Sequence, residues 1–199
     1  MCATVLDMSM SLDGFIAGPN ERMDNGLGDG GHRLHEWALT GGDVDHKEIA
    51  RPAGVNGEVF DELMSTGAVV AGRGTFEPAG GWGGDHHDGV PIFILYRREP
   101  GIDTDQWPLV TCVKDVTSAM TRAKQAAGEK NVLVHGAGVA QLALAAGVPD
   151  ELELHVIPVF FGEGRRLFEN LAPEQIELER TRILEGEGGV THMHYRVRR

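Results

Sequence analysis

Ala68-Val69-Val70-Ala71-Gly72-Arg73-Gly74-Thr75-Phe76-Glu77 is the stretch on which the fold turns. Four small or β-branched apolar residues in a row predict a short strand buried on both faces. Gly72 and Gly74 then let the backbone turn and pass close to a flat or charged group. Thr75 stands where it can cap the helical turn that follows. A helix start offers unpaired N–H groups and a partial positive charge, which suit a phosphate, and Arg73 adds a planar fork able to hold one. A strand ending in a glycine turn with a solvated arginine reads the same way, so the rest of the chain decides.

The same logic returns in Asn131-Val132-Leu133-Val134-His135-Gly136-Ala137-Gly138-Val139-Ala140-Gln141. A buried strand ends in two glycines and a helix is predicted from about Val139, so a second helix start faces the same sheet edge. Gly136-x-Gly138 is not a full dinucleotide fingerprint, because Gln141 holds the third glycine position and the phrase comes late in the chain.

Toward the N-terminus, Thr4 to Met10 sets Val5, Asp7 and Ser9 against Leu6, Met8 and Met10, a strand with one polar face. In a sheet covered on both sides Asp7 is a carboxylate that demands a partner, which points to function more than to structure. Ser11 to Asn20 is a turning loop whose apolar Phe15 and Ile16 pack over core or ligand. An irregular, lid-like excursion follows at about 21–56, with one helical phrase from His32 to Leu39 around Trp37. That tryptophan either closes a pocket or pins the loop to the core. Asn56 to Met64 reads as a helix with Val59, Phe60 and Leu63 inward.

Toward the C-terminus, Val90 to Tyr96 is another buried strand, with Arg97 and Arg98 at its carboxyl end, where open α/β sheets bind ligands. A strand at Leu109–Val113, a helix at Val116–Ala127 and a long strand at Glu151–Phe161 follow, the last carrying His155. Ile176–Leu184 and Val190–Val197 form a hairpin across Glu185-Gly186-Glu187-Gly188-Gly189. Strands alternating with helices and finishing in a hairpin predict an α/β fold: three α/β/α layers around a mixed, mostly parallel sheet that ends in an antiparallel hairpin.

The 199 residues are enough for one domain with a real core, taken as 1–199. With 30 acidic against 18 basic side chains the net charge is -12, which disfavours a nucleic-acid or anionic-membrane surface but leaves room for a local basic pocket. Cys2 and Cys112 have no metal spacing and read as free thiols. No signal-peptide pattern and no run of roughly 20 apolar residues is seen, so the expected compartment is the cytoplasm. No metal site is expected: His86 and His87 are neighbours in a glycine-rich loop, and His192 and His194 read as a solvated face near the chain end.

Three separated phrases, Ser9-Met10-Ser11-Leu12-Asp13-Gly14-Phe15-Ile16-Ala17, Gly72-Arg73-Gly74-Thr75-Phe76-Glu77 and Val134-His135-Gly136-Ala137-Gly138, together with Leu152 to Phe168, resemble the dihydrofolate reductase-like superfamily. The similarity is greater to its riboflavin-biosynthesis branch, the C-terminal reductase domains of bifunctional deaminase-reductases. The resemblance implies NADPH laid along the carboxyl edge of the sheet. Gly72, Arg73, Gly74 and Thr75 would hold the pyrophosphate and 2′-phosphate. Leu95, Tyr96, Arg97 and Arg98 would surround the adenosine end. Gly136, Ala137, Gly138, Val139 and Gln141 would form the second phosphate turn, and Ser9, Ile16 and Ala17 the nicotinamide wall.

On the substrate side, the position where folate reductases carry a helix carboxylate matches Asn56, so Trp37, Asn56 and Phe60 are the expected substrate contacts and Asp7 with His155 the expected catalytic pair. A carboxylate beside an imidazole can orient or protonate a heterocycle as hydride arrives. The implied activity is an NADPH-dependent reduction of a small heterocyclic or carbonyl substrate of pterin, pyrimidine or flavin-precursor type, in a homodimer. The zinc deaminase signature is missing from the sequence. A dinucleotide- or ligand-binding protein without turnover is the alternative on the same fold. A Rossmann-type dehydrogenase would place its glycines after the first strand, where Ser11-Leu12-Asp13-Gly14 stands.

Overall fold

The computed structural model describes residues 2–39, 50–98, 101–171 and 174–198; part of the predicted excursion, 40–49, lies outside them. In β1 (Thr4–Ser11) the predicted alternation holds, with Leu6 and Met8 buried on one side and Asp7 and Ser9 on the other. A short β2 (Phe15–Ala17) follows. Then come α1 (Gly54–Met64), β3 (Ala68–Gly72), the single turn α2 (Arg73–Phe76), β4 (Ile92–Leu95), β5 (Val110–Val113), α3 (Val116–Ala127), β6 (Val132–His135), α4 (Ala137–Ala145) and β7 (Glu151–Ile157). The chain continues through β8 (Arg165–Arg166), which pairs antiparallel with β2, to the hairpin of β9 (Leu178–Glu185) and β10 (Thr191–Val197).

Eight strands form one sheet in the order β5-β4-β3-β6-β1-β7-β10-β9. The first six are parallel, and β10 joins β7 antiparallel before pairing with β9. The expected mixed, mostly parallel sheet with a terminal hairpin is therefore the fold. Ala68, Val69, Val70 and Ala71 are all 0 % exposed because β3 is covered on both faces. On one face α3 and α4 pack Met120, Ala123, Val139 and Ala140 against Leu6, Val70, Val134 and Leu152. On the other, Phe76 packs with Ala71, Ile92 and Leu133, while α1 and the Trp37 segment cluster Val59, Phe60, Leu34 and Ile157 separately. Burying each of the larger of these side chains, the valines, leucines, isoleucines, phenylalanines and Met120, contributes about 1.5–3 kcal/mol.

The local departures have physical causes. The predicted strand Glu151–Phe161 stops at Ile157, because Pro158 has no N–H to continue the ladder. The helix expected from about Val139 starts at Ala137, because Gly136, at φ 92, turns the chain two residues sooner. Thr75 does not cap α2; Gly72 stands at the cap and no side chain bonds there. Of the His32–Leu39 phrase only the 3-10 turn Gly31–Leu34 is regular helix. Asp115 caps α3, accepting a hydrogen bond from the Ser118 N–H at 2.8 Å.

Candidate active site

Between the two apolar clusters of the second face, the carboxyl ends of β4, β3 and β6 and the polar side of β1 border a cavity of about 1000 Å³. That is the upper end of the range for cofactor and small-molecule sites. Most of the expected site residues line it: Asp7, Ser9, Ile16 and Ala17 from the first two strands, Gly72 to Thr75 after β3, Leu95 to Arg97 after β4, and Gly136 to Val139 with Gln141. Trp37 and Phe60 line it as well. Three expected residues are not among its lining: Arg98 is exposed, Asn56 is turned toward the β9–β10 connection, and His155 is fully buried behind Asp7 and Trp37.

The two glycine turns meet. A Cβ on Gly136 would collide with Thr75 Oγ1, so the start of α4 can lie against the turn after β3 only with glycine there. The Gly136 N–H is turned inward, 3.1 Å from Met8 Sδ. The first helical bond of α4 runs from Ala140 N–H to Gly136 O, which leaves the amides of Ala137, Gly138 and Val139 outside the helix ladder at its positive end. A Cβ on Gly74 or Gly138 would meet open space, so both backbones are approachable. The cationic side chains in the lining are Arg73, Arg97 and Arg165. Arg73 lies 3.8 Å from Glu77, and Arg165 is held by Glu21 at 2.5 Å. Gln141 donates to the Leu167 carbonyl at 3.0 Å, which ties α4 to the segment after β8.

At the other end Asp7 is 5 % exposed, and its Oδ1 lies 3.3 Å from His155 Nε2. The strand ladder explains the contact: Asp7 stands opposite Glu153 and Ser9 opposite His155, all on one face, so the imidazole reaches diagonally back to Asp7. Ser9 is already engaged, accepting from Trp37 Nε1–H at 2.8 Å, and the indole lies against the His155 and His192 rings with centroids 4.3 and 4.9 Å away. Trp37 thus both pins its segment and lines the cavity.

Several histidines escaped the sequence reading. His135 lines the cavity at the end of β6, and its burial lowers its pKa. His35 does so from the segment after the first 3-10 turn; loss of water and the neighbouring His135 and His155 push it down to about 4. His86 lines it too and shares a 2.7 Å contact between Nδ1 atoms with His87. His192 was expected on a solvated face and is 1 % exposed, with its pKa pushed down to about 4 by burial and by His155. Among the described residues no three His, Cys, Asp or Glu side chains converge as metal ligands, and no helix is long and apolar enough to cross a membrane.

Comparison with known proteins agrees with this architecture. A Shewanella sp. PV-4 protein named for riboflavin biosynthesis superposes with a TM-score of 0.72 at 18% identity, over 99% of both chains. A Thermotoga maritima diaminohydroxyphosphoribosylaminopyrimidine deaminase/5-amino-6-(5-phosphoribosylamino)uracil reductase superposes at 0.65 with 14% identity; 99% of this chain covers 57% of that one. The Bacillus subtilis protein YyaP, itself uncharacterized, is 22% identical over 211 residues, 96% of this chain and 93% of YyaP. Residues 3–191, nearly the whole chain, match the RibD C-terminal domain, and the protein belongs to that family.

Proposed function

We propose that this chain is an NADPH-dependent reductase of a small heterocyclic or carbonyl substrate. One observation carries the reading: the buried Asp7–His155 pair opens, through Asp7, onto the same cavity that both glycine turns and Arg73 and Arg97 line. The residues fit the cofactor by chemistry. Arg73, Arg97 and the three α4 amides supply donors for phosphate groups, and Gly74 and Gly138 let the backbone approach them. Ser9, Ile16 and Ala17 line the cavity beside Asp7, where they would face the nicotinamide. Bound there, the nicotinamide would supply a hydride. Asp7 then gives the accompanying proton to the reduced atom of the substrate, while Trp37 and Phe60 keep water from the reacting face. On this reading the chain works in the cytoplasm as a homodimer.

The test has two arms. Nicotinamide fluorescence titration should show NADPH bound about 10-fold or more tightly than NADH, a preference of about 1.4 kcal/mol, and Arg73→Ala or Arg97→Ala should narrow it. Stopped-flow loss of cofactor absorbance against pterins, pyrimidines and flavin precursors should then find a substrate whose turnover falls about 100-fold or more in Asp7→Asn while cofactor binding stays. Equal affinity for the two dinucleotides, or none for either, overturns the reading. Tight NADPH binding with no turnover across the panel would favour a binding protein.

A further inference from the structure

Behind Asp7 the hydrogen bonds continue away from the cavity. His155 Nδ1 lies 2.8 Å from His192 Nδ1, His192 Nε2 lies 3.0 Å from Asn56 Oδ1, and Asn56 Nδ2 donates to the Glu187 carbonyl at 3.2 Å. All three side chains are at least nine-tenths buried. The far end of this chain of bonds is a backbone carbonyl, a group that can only accept. Read from there, every proton position but one is dictated. Asn56 must present its NH2 to Glu187 and hence its oxygen to His192. His192, neutral at ordinary pH, must carry its proton on Nε2 and leave Nδ1 bare. His155 must therefore donate from Nδ1. Only the contact between His155 Nε2 and Asp7 Oδ1 remains, and it takes a single proton. With none, two acceptors face each other; with two, two donors do.

We propose that His192 and Asn56, anchored on the Glu187 carbonyl, are positioning residues that lock the His155 tautomer and so confine one mobile proton between His155 and Asp7. The inference deepens the reductase reading and rests on it for its use: the confined proton is the one Asp7 passes to substrate, after which the bare Nε2 and the carboxylate repel until a proton returns through the cavity. The fold reserves space for the lock. A Cβ on Gly186 would collide with Asn56 Oδ1 and come within 2.7 Å of His192 Nε2. The Glu187 carboxylate accepts from the Asn56 backbone N–H at 3.1 Å and holds the β9–β10 connection against α1. The other charged or titratable groups around the pair are Glu153 on the same strand, and His35 and His135 at the cavity; Arg182 and Glu187 face His192.

The experiment is nitrogen-15 NMR of the histidine rings in the resting protein, where no substrate or turnover is needed. Its failure therefore leaves the kinetic arm standing, and failure of the kinetic arm leaves this one standing. Near neutral pH, His192 should show a protonated Nε2 and a bare Nδ1, and His155 a protonated Nδ1. His192→Gln, whose amide presents an oxygen and an NH2 at nearly the same span, should keep the His155 pattern. His192→Leu should lose it, giving a mixture of His155 tautomers. A wild-type His192 protonated on Nδ1 overturns the proposal, as does an unchanged His155 pattern in His192→Leu. Should His192→Leu not fold, the wild-type and His192→Gln assignments decide by themselves.

Discussion

Acid should weaken this fold through His192 by an amount that can be worked out. Its pKa is about 4 in the folded chain against 6.5 for an ordinary histidine, because burial and His155 disfavour the charged form. The unfolded chain therefore takes up the proton first as pH falls. Stability from the neutral imidazole is complete above about pH 6.5 and lost progressively down to about pH 4. Between about pH 8 and pH 5.5 the linkage integral gives a loss of about 1.4 kcal/mol for this one group. At a urea slope of about 2 kcal/mol/M that moves the midpoint by about 0.7 M. The net charge of -12 at pH 7 shrinks on acidification, so the transitions are best followed in dilute protein and no lower than this range. The comparison that isolates the group is His192→Gln, which keeps one acceptor and one donor but cannot titrate. Wild type should lose about 1.4 kcal/mol more than His192→Gln over that interval, whatever the variant's stability at high pH. Parallel pH dependences for the two proteins, at equal urea slopes, would refute the reasoning, because His192 would then be charged in the folded state or exposed.

Three further outcomes are expected. Gly136→Ala places a Cβ against Thr75 Oγ1 at φ 92, so it should cost about 1–3 kcal/mol in urea unfolding and weaken NADPH binding, since both glycine turns must part. Phe76→Ala removes a fully buried ring that meets Trp82 and Trp107 edge-on at 5.5 and 5.8 Å; about 3–5 kcal/mol should be lost by denaturation while the NMR tautomers of His155 and His192 stay as they are. The Asp13 carboxylate accepts from Ser11 Oγ–H and from the backbone N–H groups of Phe161 and Gly162, which hold its pKa down to about 2. Asp13→Ala should speed limited proteolysis between Val159 and Gly164 several-fold, with unchanged rates at β3 and β6.

The elements that could be read directly were those whose pattern is local. Ala68–Gly72, Val132–His135 and Val116–Ala127 announce themselves by apolar runs or helical spacing between glycines, and their burial follows from that pattern alone. Asp7 stood out for a similar reason: a carboxylate interrupts an otherwise buried strand. His192 carried no comparable signal. Thr191–Val197 mixes polar and apolar residues, and a place near the chain end suggested solvent. In the sheet, however, β10 lies between β7 and β9 and is an interior strand under Trp37. Asn56 was expected at the substrate because of what stands there in similar chains. Its actual partner is the connection between two strands 131 residues further on, and no local pattern specifies that meeting. The cavity histidines 35 and 86 lie in irregular segments, where side-chain direction is set by long-range packing.

The position of the Asp7–His155 pair in the sheet ties the C-terminal hairpin to the cavity that Asp7 lines. β7 has a parallel neighbour in β1 and an antiparallel one in β10, so residues from three distant parts of the sequence fall into rows across one face. One row is Ser9, His155 and His192; the next is Asp7, Glu153 and His194. A slip of one residue in β10 that set Met193 opposite His155 would turn His192 to the opposite face, where Leu152 and Leu154 pack against the helices, and would give His155 an apolar neighbour in its place. His155 would then lose the acceptor for its Nδ1–H inside the protein, at a cost of about 1–3 kcal/mol for the buried donor. The register of the hairpin and the polarity of the Asp7 site therefore constrain each other. A chain able to pair β10 only in this register is also a chain in which His155 keeps the acceptor that confines the proton it shares with Asp7.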